Sequence, residues 1–382
     1  MKLFTDNPLM DAVERSARSH RPGMTRIDRR TFVRDGFGLL ALTGVVGAGM
    51  YAAPSTALAA SAAGDAGSSA DGDAKGAASS AYDGERLKVY ASFYATYDFA
   101  KKVGGDRVDV TCLVPAGTEP HDWEPATTDV RNIEEGDVLV YNGADMEHWV
   151  EKLLASLQST RLVTIEASKG VKLRTATEEH AEDGSEQKVS QDASGASEGG
   201  HDDDHDHDHE TDPHVWLSPA NAKAELANVR DGLVQADPDG KAVYDANYEK
   251  WAAEFDKLDQ EFAEKLGAAP KKDIVVSHQA FGYLCDEFGL TQVPIEGLDA
   301  EGEPDARTLA QITDFVKKND VKVIFSEELV SPKLAQTIAD ATGAEMAELN
   351  PLEGLTDEEL AAGEDYLSVM RANLDELVKA LS

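Results

Sequence analysis

Cysteine and positive charge are both scarce in this sequence of 382 residues. Its two cysteines, Cys112 and Cys285, are too few for a disulfide-dense scaffold or a thiolate zinc site. Because they fall in different predicted halves of the chain, we expect buried thiols and no disulfide. The 36 lysines and arginines face 72 aspartates and glutamates, a formal net charge of −36, which disfavours nucleic acid and anionic membranes as partners. A metal would have to be held by histidine and carboxylate.

The first 60 residues have the layout of an export signal. Eight lysines and arginines in 1–34 precede a weakly apolar run at 36–53. The sequence RRTFV at 29–33 is similar to a twin-arginine signal, and ALA at 57–59 offers a cleavage site. The alternative is a single membrane anchor, which five glycines in the run disfavour. We therefore expect an extracytoplasmic protein, kept at the surface only if the signal is not cleaved.

The rest of the chain predicts two α/β lobes. Residues 61–81 are mostly Ala, Gly, Ser and Asp and predict a flexible linker. Short β-branched runs alternate with helical stretches over 86–235 and again over 270–382, which indicates a mainly parallel sheet flanked by helices in each lobe. Between them, aromatic residues at steps of three and four predict one long rigid helix over 238–266.

Three histidines lie at the ends of predicted elements. His121 follows a strand at 108–114 through a short turn, His278 directly follows a strand at 273–277, and His214 stands just before a helix. Ligands of open α/β sheets lie beyond the carboxyl ends of the strands, so the cleft between the lobes is the expected site. Imidazoles gathered at a cleft are typical zinc ligands.

Four motifs resemble one family, the metal-binding solute-binding proteins of ABC importers, and within it the zinc-binding subclass. They are PAGTEPHDWEP at 115–125, DPHVWLSP at 212–219, SHQAFGYL at 277–284 and NPLEGLT at 350–356. The resemblance covers the chain from about residue 86 to its end. It implies two lobes joined by a rigid helix, a metal between them, and an ABC permease with its ATPase as partners.

The resemblance also guides the choice of metal and of the fourth ligand. Manganese-binding relatives typically have a carboxylate at the position of His278, so the histidine implies Zn²⁺, which an N₃O donor set also favours over Mn²⁺. The family usually supplies an Asp at the position of Asn350, and a neutral amide is a poor ligand for zinc. Glu353 is therefore our expected fourth ligand, with Glu119 as the competitor and a water as the third possibility.

A tract at about 175–213 is rich in histidine and acidic residues and predicts a solvated loop. Four of its histidines are His201, His205, His207 and His209. The tract has three interpretations: a low-complexity segment without a role, a solvated tail, or a device that captures zinc weakly and passes it to the cleft. Composition favours contact with metal, and the resemblance implies the capture role.

Three functions remain to be weighed. The first is a binding protein that delivers Zn²⁺ to a membrane importer, and the second is a zinc hydrolase. The sequence has no H-E-x-x-H helix, nucleophile elbow or phosphate loop, so we expect no catalytic residues. The third, a siderophore or vitamin carrier, would not gather three histidines. We expect a monomer that binds zinc and no small organic substrate, with a manganese-binding member of the same family as a further alternative.

Overall fold

The structure is a computed structural model that describes residues 84–159, 161–175, 211–298, 300 and 304–382. All of them fall in one compact unit, Gly76–Ser382, and the other unit, Met1–Lys75, lies outside the described residues. The expected export signal, the linker and most of the histidine-rich tract are therefore not described. Within the described ranges, no helix is both long enough and apolar enough to cross a membrane.

The first half of the described chain folds around a parallel sheet of four strands in the order β2-β1-β3-β4. Its elements are β1 Leu87–Ala91, α1 Tyr94–Gly104, β2 Val108–Cys112, α2 Thr127–Glu135, β3 Val138–Tyr141, α3 Val150–Ser156, β4 Val163–Glu166 and α4 Pro219–Ala236. Helix α4 starts where Ser218 accepts a hydrogen bond from the backbone of Asn221 and proline occupies the first helical position.

The second half repeats the arrangement with strands in the order β6-β5-β7-β8, again all parallel. Its elements are β5 Asp273–Val276, α6 Gly282–Phe288, β6 Thr291–Pro294, α7 Ala306–Lys318, β7 Val323–Ser326, α8 Lys333–Thr342, β8 Glu345–Glu348, α9 Asp357–Ala362 and α10 Tyr366–Ala380. The predicted fold class, two parallel α/β sheets flanked by helices, is confirmed.

The long helix α5, Lys241–Gly267, contacts both halves. Its apolar side packs against α1 and α4 of the first half and α10 of the second. Three rings from three helices meet there: Phe99 of α1, Phe255 of α5 and Tyr366 of α10, with centroids 5.0 to 5.8 Å apart. One contiguous apolar core therefore runs through both sheets and this helix.

The predicted start of the long helix was wrong by three residues. The long helix begins at Lys241 because Pro238–Gly240 forms a separate 3₁₀ turn, in which the Asp237 side chain accepts a hydrogen bond from the Gly240 backbone. Cys285 is buried as expected, but Cys112 on edge strand β2 is only half-buried, and no disulfide joins these two described residues.

Candidate metal centre

Four side chains meet at one point in the cleft. The Nε2 atoms of His121, His214 and His278 lie 3.3, 3.1 and 3.1 Å from Oε1 of Glu353. Nε2 of His214 is 3.2 Å from Nε2 of His278. One donor atom from each of the four side chains can be chosen so that all lie within 4.8 Å of one another. The structure thus brings together the three predicted histidines and the preferred carboxylate.

The two halves contribute two donors each. His121 is on the loop after β2, and His214 precedes the 3₁₀ turn Val215–Leu217 that leads into α4. His278 comes two residues after β5, and Glu353 is on the loop after β8. The rule that ligands lie beyond the carboxyl ends of parallel strands therefore holds for three of the four positions.

Asn350 shapes the loop that carries Glu353. Its side-chain oxygen accepts a hydrogen bond from the Leu352 backbone at 2.7 Å, and Leu352 has a positive φ of 58°. Asn373 of α10 donates to the Asn350 carbonyl at 2.7 Å and accepts from its backbone N–H at 2.9 Å. The side chain of Asn350 thus stabilises the turn, and it is the side chain of Glu353 that points into the cleft.

Two buried carboxylates orient two of the imidazoles. Nδ1 of His214 lies 2.9 Å from Oδ1 of Asp212, and Nδ1 of His278 lies 2.7 and 2.8 Å from the two oxygens of Glu327. Both carboxylates also accept the backbone N–H of their histidine. An Nδ1–H donated to the carboxylate leaves the Nε2 lone pair facing the cleft, which is the tautomer that binds a metal.

Asp212 is itself held in place by the segment next to the histidine-rich tract. The Tyr283 hydroxyl donates to the Asp212 carbonyl at 2.9 Å and accepts from the backbone N–H of Arg174. The Arg174 guanidinium lies 3.3 Å from Oδ2 of Asp212. The orientation of His214 thus depends on contacts that reach α6.

The electrostatics of the cluster favour a proton or a cation at its centre. Burial lowers the pKa of His278, but the charges of Glu327 and Glu353 outweigh it, so the pKa lies well above its usual value. The pKa of His121 is likewise raised, since burial is outweighed by the hydrogen bond and charge of Glu353. Burial raises the pKa of Glu353, yet His278 and the other imidazoles bring it well below its usual value.

Glu119, the competing fourth ligand, is engaged elsewhere. Its carboxylate accepts the backbone N–H of His121 at 3.0 and 3.1 Å, and its Oε1 is 3.9 Å from Nε2 of His121. Burial raises its pKa, partly offset by His121. Glu119 therefore shapes the His121 turn and does not belong to the four-residue group.

Sequence reasoning missed the roles of Asp212 and Glu327. Asp212 lies two residues before His214 in a motif that was noticed, and its spacing could have suggested a hydrogen bond to that histidine. Glu327 directly follows β7, at the same strand ends as His278, which was the available signal. The tract residues His201, His205, His207 and His209 lie outside the described residues, so their capture role stays a prediction.

Comparison with protein families decides the relationship. A model of the family described as "Zinc-uptake complex component A periplasmic" (ZnuA) matches residues 89–380.

The chain belongs to this family.

Membership confirms the resemblance inferred from the four motifs. The chain is 41% identical over 307 residues to the high-affinity zinc uptake system protein ZnuA of Bacillus subtilis, covering 80% of the chain and 91% of that protein. It is 40% identical over 298 residues to the zinc-binding lipoprotein AdcA of Streptococcus pneumoniae, 76% of this chain and 55%, about half, of AdcA.

A solved structure of the family has the same fold. The Zn(II)-bound ZnuA-like domain of Streptococcus pneumoniae AdcA superposes with a TM-score of 0.63 at 37% identity, covering 78% of this chain and 99% of that domain. The two-lobe architecture of this chain is therefore shared with a relative whose structure contains zinc.

Proposed function

We propose that this chain captures Zn²⁺ outside the cytoplasm and delivers it to an ABC importer. The ion is the cargo, and its ligands are His121, His214, His278 and Glu353. The observation that carries the proposal is the convergence of three Nε2 atoms on Oε1 of Glu353 at 3.1 to 3.3 Å. Zinc–nitrogen bonds of about 2.0 to 2.1 Å require only small side-chain movements from this arrangement.

The donor set supports zinc over manganese. Three imidazoles and one carboxylate form an N₃O set, and borderline-soft nitrogen donors suit Zn²⁺ better than the harder Mn²⁺. The carboxylates of Asp212 and Glu327 orient the imidazoles of His214 and His278, and the charge of Glu327 also raises the pKa of His278, which strengthens its bond to a cation.

The same geometry supports binding over catalysis. A catalytic zinc has three protein ligands and an open position for water, whereas a closed site has four protein ligands. Here four side chains point at one position, and two of them are completely buried. Glu119, the residue best placed to act as a base, is hydrogen-bonded to the backbone of His121. We infer a transport role and no enzymatic one.

Partners and location follow from family membership and the N-terminal sequence. We infer that the chain works as a monomer with an ABC permease and its ATPase. Residues 1–60 would direct export by the twin-arginine route, and an uncleaved signal would anchor the protein. Family membership supports the importer as partner, and the sequence of residues 1–60, which lie outside the described residues, supports export.

Paired alanine substitutions test the ligand assignment. Zinc affinity is measured by competition with a chromophoric chelator, and coordination number by X-ray absorption at the zinc edge. We expect Glu353→Ala to lower affinity by two or more orders of magnitude and to change the first shell, and Glu119→Ala to change affinity by less than about tenfold. The reverse pattern would show that Glu119 is the fourth ligand.

A further inference from the structure

A groove between the two halves, beside the metal cleft, is lined mostly by apolar side chains. We call it the β2–α9 groove, and it has a volume of about 270 Å³. Its apolar walls are formed by Tyr94, Tyr97, Val110, Cys112, Leu355 and Leu360. Val110 and Cys112 belong to β2, the edge strand of the first sheet, and Leu360 belongs to α9.

The groove adjoins the loop that carries the fourth proposed zinc ligand. Glu353, Gly354 and Leu355 form part of its wall. The Leu355 carbonyl accepts a hydrogen bond from the Gly117 backbone at 3.1 Å, which joins this wall to the turn that leads to His121. A group seated in the groove would thus contact the connection between two ligand loops.

Leu360 leaves much of its side chain exposed at this groove. It is 41% exposed and is one of three large hydrophobic residues of the described ranges that are exposed, with Leu173 and Val243. An apolar side chain of leucine size that entered the groove would be removed from water and stabilised there by the hydrophobic effect. A space of this volume accommodates one or two such side chains.

The charges near the groove indicate what kind of segment it would accept. Asp357 and Glu358 in the first turn of α9, which carries Leu360, are exposed, and so is Glu364, whose carbonyl accepts the Tyr94 hydroxyl. The nearby cation Lys101 donates to the Tyr97 hydroxyl at 3.2 Å. This surplus of carboxylates favours a partner with basic residues beside its apolar one.

The same charges disfavour other occupants. A second copy of this chain would bring a net charge of −36 against an acidic surface. The tract at 176–210 is itself acidic and has Val189 as its only large aliphatic residue. The basic and apolar N-terminal residues 1–53 are the alternative within the chain, and the experiment below distinguishes them.

We propose that the β2–α9 groove receives an apolar side chain, flanked by lysine or arginine, from an extracytoplasmic segment of the importer's membrane subunit. This proposal rests on the proposed function, since it requires that the chain work with an ABC importer. Docking there would press on the wall that contains Glu353 and so connects recognition of the importer with the zinc site.

Photo-crosslinking identifies the occupant. A benzophenone amino acid replaces Leu360 in one strain and Val243 in another, in cells that contain their own importer and are grown with limiting zinc. Val243 on α5 is a matched control, since it is 42% exposed against 41% for Leu360. We expect an adduct with the membrane subunit from position 360 alone. An adduct with a second copy, an internal crosslink to residues 1–53, or no adduct would overturn the proposal.

Zinc uptake provides the second readout. We expect Leu360→Lys to lower uptake of radioactive zinc at least tenfold while the zinc affinity of the purified protein stays unchanged, and Leu360→Met and Val243→Lys to retain uptake. Normal uptake by Leu360→Lys would overturn the docking proposal and leave the proposed function intact. Loss of uptake in Val243→Lys as well would show that the effect is not specific to the β2–α9 groove and would also overturn the docking proposal. A wild-type strain without zinc uptake through this protein would instead refute the proposed function.

Discussion

The imidazole of His278 and the carboxylate of Glu327 form a buried pair in which Nδ1 lies 2.7 and 2.8 Å from the two carboxylate oxygens. The same carboxylate accepts the backbone N–H of His278 at 3.2 Å. Both side chains are almost completely buried, so the ring has little freedom to rotate. Glu327 therefore determines which nitrogen of His278 faces the cleft.

Removing the charge of Glu327 should weaken zinc binding without removing a ligand. We expect Glu327→Gln to lower zinc affinity by about 10- to 100-fold, because an amide orients the imidazole less firmly and makes it less basic. The adjacent Glu328→Gln is the control, since Glu328 is exposed. The measurement is a chelator competition titration at fixed pH. Equal losses in the two variants would argue against an orienting role.

Zinc affinity should increase with pH. The raised pKa of His278 means that the zinc-free cleft keeps a proton at a pH where a free imidazole, with a pKa of about 6.5, has lost it. Zinc must displace this proton, so the dissociation constant should fall about tenfold per pH unit for each proton released, until the raised pKa is passed. Calorimetric titrations between pH 6 and 9, in buffers of different ionisation enthalpy, measure the dissociation constant and the number of protons released. A dissociation constant independent of pH would contradict it.

The zinc-free protein should respond to pH with the opposite sign. A histidine whose pKa is raised by folding stabilises the fold fully below its unfolded pKa, and this stabilisation is lost as pH rises through the folded pKa. For Glu353, whose pKa is lowered, stabilisation is present above the unfolded pKa of about 4.3 and is lost as pH falls through the folded one. In urea unfolding of the zinc-free protein, the part of the free energy of unfolding that comes from His278 should therefore decrease as pH rises above 6.5.

Substitution by methionine should change the stability of the fold in opposite directions at two glutamates, Glu225 and Glu147. Glu225 on α4 is 1% exposed, and neither of its carboxylate oxygens has a hydrogen-bond partner among the described residues. Burial and the charge of Glu147 raise its pKa well above the usual value. Glu147 is partly buried and accepts hydrogen bonds from the Ser92 hydroxyl and the backbones of Asn142 and Gly143.

We expect Glu225→Met to stabilise the fold by about 1 to 3 kcal/mol at pH 7, because an unpartnered buried polar group is removed. Glu147→Met should destabilise it by roughly 3 kcal/mol, since three donors lose their acceptor. A raised carboxyl pKa makes the wild type less stable as pH rises above about 4.3, so the gain from Glu225→Met should be larger at pH 8 than at pH 5. Urea unfolding measures both, and destabilisation by both variants would refute the contrast.

The sequence predicted the strands and the metal-ligand candidates better than the short helices and the carboxylates that orient the histidines. The predicted strands at 108–114 and 273–277 correspond to β2 and β5, and the histidines after these strands indicated the cleft. Helix α2 was missed because Ile133 is its only fully buried residue and it shows no apolar stripe. Helix α9 was missed because none of its residues is buried, although Thr356 and Glu359 form a capping box at its start.

The carboxylates behind the histidines were harder to predict for a different reason. Glu327 and Glu328 are adjacent and chemically identical, and only the end of β7 turns the first toward His278 and leaves the second exposed. Glu353 was chosen over Glu119 by family resemblance. What separates them physically is the backbone contact of Glu119, which depends on how the His121 turn closes.

The packing of the Phe99, Phe255 and Tyr366 rings limits the conformational changes by which the protein could release a bound ion. The Trp216 indole donates to the Pro351 carbonyl at 2.8 Å, and the Tyr366 hydroxyl donates to the Trp216 carbonyl at 2.6 Å, so the same packed region extends to the cleft. Swinging the lobes widely apart would expose this shared interior to water. A small movement of the segment around Glu353 would release the ion while the shared core stays packed. The conformation of the two lobes would then be nearly the same with and without zinc.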